Sequence, residues 1–97
     1  MKDTLTELET KVMQSIPEDY FYEDGFSSTL WLDAFIDTVT RHTKIQPNQT
    51  RALLVTLQTK EYIGMLGGKD GYLWLSDKGK TWLLENGLVN QDGKPLD

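Results

Sequence analysis

The chain has no cysteine and a single histidine, His42, among its 97 residues. Without thiols there is no disulfide framework, no thiolate nucleophile and no cysteine zinc site, and one imidazole makes no multi-histidine metal site. No unbroken apolar run exceeds four residues, as at Ala52 to Val55, whereas a membrane-spanning helix needs about 20. No basic stretch followed by an apolar one opens the chain, so neither a membrane association nor export is expected, and the expected compartment is cytoplasmic. Neither GxGxxG nor GxxxxGK followed by Ser or Thr occurs, so no nucleotide cofactor is expected. The length suits one domain, expected over 1–88 with a flexible tail at 89–97, and is too short for a deep, multi-layered active site.

What is present is charge, unevenly spread. The net charge is −5 with an isoelectric point near 4.7, which argues at first against a polyanionic partner. The mean hides a division: Met1 to Thr40 carries −7, Arg41 to Lys80 carries +4, and Thr81 to Asp97 carries −2. Arg41, Lys44, Arg51 and Lys60 follow one another with no acid between them. A local basic run in an acidic chain is the footprint of a surface that meets phosphate.

The hydrophobic spacing predicts mostly helix. Thr4 to Glu7 has the form of a capping box, and Leu5, Leu8, Val12 and Ile16 recur at helical steps before Pro17. Residues 17–28 read as a loop anchored by Tyr20, Phe21, Tyr22 and Phe26. Ser28 or Thr29 caps a second helix from about Leu30 to His42, and His42 faces the carbonyls at that helix's end. Pro47 opens a third helix over 47–62, with Thr50, Leu53, Leu54, Leu57 and Glu61 on its inner side. Ile63 to Leu66 and Tyr72 to Leu75 flank a glycine-rich turn as a hairpin, and Ser76-Asp77 starts a last helix through about Glu85. Trp31, Trp74 and Trp82 are expected in the core.

This order of elements resembles a winged helix-turn-helix domain, and particular phrases carry the likeness. Leu53 to Ile63, LLVTLQTKEYI, resembles the end of the recognition helix of MarR- and PadR-type regulators. Tyr72 to Lys80, YLWLSDKGK, resembles their second wing strand and the start of the next helix, and Leu5 to Glu9 resembles their opening helix. The likeness spans about residues 4–86. It implies an α+β, mostly α fold: a three-helix core, a two-stranded hairpin wing and a C-terminal helix. Glu61 stands where those regulators usually have glycine, the wing turn carries only Lys69, and no long helices flank the core, so a homodimer must use another surface.

The resemblance implies a transcriptional regulator that contacts duplex DNA. It places Asn48, Gln49, Arg51, Ala52, Val55 and Thr56 toward bases in the major groove, with Arg41, Lys44, Lys60 and Lys69 toward phosphates. The alternative reading of the same residues is a solvated helix face. A second functional reading is an interaction module or inhibitor that docks on a protein partner with a basic surface. It would use Glu18, Asp19, Tyr20, Tyr22, Glu23, Asp24 and Phe26, where acids flank aromatics. The acids of that loop lack the ligand spacing of a calcium site. Asp33 and Asp37 read as a solvated helix face, so neither a catalytic site nor a metal is expected.

Overall fold

The computed structural model describes residues 4–68 and 70–96. Two Thr-x-x-Glu phrases overlap at its start, and the second, not the expected Thr4 to Glu7, caps the first helix. Thr6 Oγ1 accepts from the Glu9 amide at 3.2 Å, and Glu9 Oε1 accepts from the Thr6 amide at 2.8 Å. Both orphan amides are thereby satisfied at the head of α1, Glu7–Gln14. The expected loop forms three short 3₁₀ turns, Ile16–Glu18, Tyr20–Tyr22 and Gly25–Ser27. Asp19 fastens them: its Oδ1 accepts from the Phe21 amide at 2.8 Å and its Oδ2 from the Thr38 hydroxyl at 2.9 Å.

The next element is a strand. Leu30–Trp31 forms β1, pairing antiparallel with Leu73 and Tyr72, so helix α2 covers Leu32–Thr43 and starts two residues later than the spacing predicts. Neither Ser28 nor Thr29 caps it; Trp31 occupies that position with no side-chain bond. The reason is tertiary: strand pairing holds Leu30 and Trp31 extended, and the Leu32 amide donates to the Gly71 carbonyl at 2.9 Å. His42 Nδ1 lies 3.1 Å from Ser15 Oγ and links α2 to the end of α1, where a cap on its own helix was expected. Helix α3 runs Pro47–Thr59, with Pro47 in its first turn. Strands β2, Ile63–Leu66, and β3, Tyr72–Leu75, form the expected hairpin, and α4, Asp77–Glu85, begins where Ser76 Oγ accepts from the Gly79 amide at 3.2 Å.

The described residues thus form an α+β architecture, mostly helical, with four α-helices and a three-stranded antiparallel sheet in the order β1-β3-β2. The third strand is a correction to the expected two-stranded hairpin. Alternation along the strands sends Leu30, Leu73, Leu75 and Ile63 inward, where they join Val12, Met13, Phe35, Val39, Leu54 and Leu57 in one core. The same alternation puts Trp31 and Trp74 on the outer face, so two of the three tryptophans expected in the core are exposed; Trp82 is partly buried. Of the expected loop anchors, Tyr22 is buried and Phe26 partly so, but Tyr20 and Phe21 are exposed. The stretch expected as a flexible tail makes defined contacts over 89–96. Val89 is buried and bridges Pro95, Asn90 Oδ1 accepts from the amides of Asp92 and Lys94, and the Phe26 ring lies against Gly93. Among the described residues no helix is long and apolar enough to cross a membrane.

Helix α3 ends three residues before the predicted Tyr62 because Glu61 takes φ +68°, the left-handed conformation usually given to glycine. Its amide donates to Gln58 O at 2.9 Å and the Tyr62 amide to Leu57 O at 3.0 Å, while its own carbonyl accepts from Ser76 Oγ. A side chain at positive φ opposes this turn by roughly 1–2 kcal/mol. Glu61→Gly is therefore expected to stabilise the protein by about 0.5–1 kcal/mol after the added chain entropy, raising Tm by a few degrees. A lower Tm on thermal melting would show that the glutamate side chain itself is required.

Candidate nucleic-acid interface

Helix α3 has two faces because Thr50, Leu54 and Leu57 turn into the core. The Thr50 hydroxyl donates to Gln46 O at 3.1 Å, which satisfies it without a solvent contact. Asn48, Gln49, Arg51, Ala52, Val55 and Thr56 are all exposed, as the spacing predicts. A notch of about 200 Å³, lined among others by Arg51, Val55, Met65 and Gly68, separates this face from the hairpin, so the helix and the β2–β3 turn share one side of the molecule. Lys69 lies outside the described residues. Thr56 offers less than expected: its hydroxyl is within 2.8 Å of Glu9 Oε2 and 2.7 Å of Leu53 O, and its proton is engaged internally.

Charge is where folding alters the reading most. The basic run has no acid within it, but in the fold α1 and α2 supply acids, two of them across space and Asp37 from one turn earlier on the helix that carries Arg41. Arg51 Nη2 meets Asp33 Oδ1 at 3.2 Å, Arg41 Nε meets Asp37 Oδ2 at 3.1 Å, and Lys60 Nζ meets Glu9 Oε1 at 2.7 Å. The two arginine pairs are more than half exposed on both sides, and such pairs contribute only about 0–1 kcal/mol, so an incoming phosphate competes with them. Lys44 is exposed at the α2–α3 turn. Lys60, expected toward phosphate, is instead committed inward, holding Glu9 and donating to Thr4 O at 3.1 Å.

The second expected surface is divided in the same way. Asp19 and Tyr22 are buried and structural, and Phe26 is half-covered; Glu18, Tyr20, Glu23 and Asp24 stay exposed, as does Phe21 between them. Aromatic side chains of the sheet, outside that reading, lie exposed nearby because the second 3₁₀ turn packs against β1. Compared with known protein families and with curated proteins, the chain matches none.

Glu9 is 2% exposed, and its environment fixes its charge. Burial pushes the carboxyl up, but the Lys60 ammonium, the Thr6 amide and the Thr56 and Thr6 hydroxyls outweigh it, lowering the pKa from 4.5 to about 2. A carboxylate more acidic in the folded than in the unfolded chain stabilises the fold fully above pH about 4.5 and loses that contribution as the pH falls toward 2. Glu9→Gln is expected to reduce stability at neutral pH by on the order of 3 kcal/mol. It should also flatten the stability change between pH 5 and 2 relative to the parent (roughly the span between the two pKa values), as read by urea unfolding at each pH. Equal acid dependence in both proteins would remove Glu9 as its source.

Proposed function

We propose that the chain is a winged helix-turn-helix domain that binds duplex DNA through α3, a non-enzymatic transcriptional regulator acting in the cytoplasm as a homodimer. The order β1, α2, α3, β2, β3 and the sheet order β1-β3-β2 are compatible with that fold, as are the phrases that resemble those of MarR- and PadR-type regulators. The observation that carries the functional reading is the outward face of α3: Asn48, Gln49, Arg51, Ala52, Val55 and Thr56 stand exposed with no carboxylate of their own helix among them. Amide and guanidinium groups on a helix of this kind match the acceptor patterns of base edges in the major groove. Arg51 must leave Asp33 to reach a base, and with Lys60 engaged elsewhere few cations remain for phosphate. Binding by one protomer is therefore weak, and a single module of roughly 600–1,000 Å² contact needs a second half-site for useful specificity.

Fluorescence anisotropy against random duplex DNA at two salt concentrations tests the reading. Arg51→Ala is expected to weaken binding about tenfold, and Asp33→Asn, which frees Arg51 and removes a repelling charge, to tighten it severalfold at low salt. Lys60→Ala should lower the melting temperature while leaving the affinity of the folded protein nearly unchanged. Binding by a folded Arg51→Ala variant equal to that of the parent at low salt would reject α3 as the reading element.

A further inference from the structure

We propose that the outer face of the sheet, continued by the second 3₁₀ turn, docks an arginine-bearing segment of another protein; this does not depend on the DNA-reading role of α3. The register aligns Trp31, Tyr72 and Leu66 in one row across β1, β3 and β2, with Trp74 opposite Gly64 in the next. Trp31 and Leu66 are each 51% exposed and Trp74 is 39% exposed. The two indoles alone leave on the order of 200 Å² of apolar surface in water, a large share of the exposed patch a monomer of this size tolerates. Trp74 is held there, since any side chain at Gly64 would overlap its ring, and the Tyr72 and Trp74 rings lie 5.6 Å apart at 41°. The second 3₁₀ turn packs against β1 and carries Tyr20, 80% exposed, in edge contact with Phe21 at 5.4 Å between ring centres.

Charge selects the occupant. The sheet-face residues are uncharged, and Glu18, Glu23 and Asp24, exposed beside the 3₁₀ turn, are all carboxylates. A guanidinium is the group that both stacks on an indole or phenol face and pairs with a carboxylate through parallel hydrogen bonds. Lys80, over the Phe26 ring at 5.9 Å, is an internal instance of the same cation–ring contact. A second copy would set the same uncharged face and carboxylate end against itself in a chain of net charge −5. A single-stranded nucleic acid would find rings to stack on, but carboxylates where its phosphates need cations.

The test uses the full ¹⁵N-labelled chain titrated with a hexa-arginine peptide, hexa-lysine serving as comparator, and follows the three indole N–H signals. The expected result is that Trp31 and Trp74 shift while Trp82 does not, and that hexa-arginine binds severalfold tighter than hexa-lysine. The Trp31→Ala, Trp74→Ala double variant should lose about tenfold in affinity, and Glu23→Gln with Asp24→Gln should weaken binding and lessen its salt dependence. Because the parent indole signals locate the peptide by themselves, the result stands even if a variant folds poorly. Shifts confined to other surfaces, or none, overturn the proposal. So do Trp31 and Trp74 signals that move with protein concentration alone, which would assign the face to a second copy, or that move with oligothymidylate and not with hexa-arginine.

Discussion

A buried carboxylate on the first helix is the point at which three parts of this molecule meet. Glu9 closes the head of α1 through the Thr6 amide, accepts from Thr56 on α3, and holds the ammonium of Lys60 at the residue where α3 ends. An ionised carboxylate removed from water is tolerated only when its oxygens are matched by donors, and here each oxygen has one or more. The requirement runs in both directions: α3 must lie where Thr56 and Lys60 reach Glu9, and the Lys60 ammonium is thereby engaged within the fold. With α3 fixed against α1, Glu61 turns the chain by its positive φ into β2, and the hairpin follows.

The same pairing of distant charges governs how the outward face of α3 behaves. An acidic half and a basic segment that are separate along the chain interleave once α1 and α2 pack against α3, bringing Asp33 to Arg51 and Glu9 to Lys60 within 3.2 Å, while Arg41 meets Asp37 one turn away on its own helix. The pairs differ in kind. Those of the arginines are solvent-exposed and exchangeable, whereas that of Lys60 is tied to a buried group. The face left over is polar and nearly neutral rather than strongly basic. Any ligand there has to be recognised by shape and hydrogen bonds more than by charge.

Element type was legible where spacing was unambiguous. The inner residues Thr50, Leu54 and Leu57 of α3, the strands 63–66 and 72–75, and the cap at Ser76 all follow from local pattern. The capping box was half legible: Thr4 to Glu7 and Thr6 to Glu9 fit the rule equally well, and only the second glutamate also meets Thr56 and Lys60. Strand β1 left almost no signal, because two residues are too few for an alternation and Leu30 also fits the stripe of the helix that follows. The exposure of Trp31 was lost with it. A usable clue did exist at Trp74, which is opposed by Gly64 in any register that pairs 63–66 with 72–75.

What the sequence by itself determined is therefore local: the types of the four helices and the hairpin strands, the inner faces, and the six side chains of α3 that are exposed. These depend on periods of 3.6 and 2 and on turn chemistry, which act over a few residues. The tertiary structure alone decided that β1 completes a three-stranded sheet, that Arg51 is met by Asp33 and Lys60 by Glu9, and that Trp31 and Trp74 form an exposed aromatic face. Each of these turns on partners far apart along the chain, and no local period records which distant residue a side chain will meet.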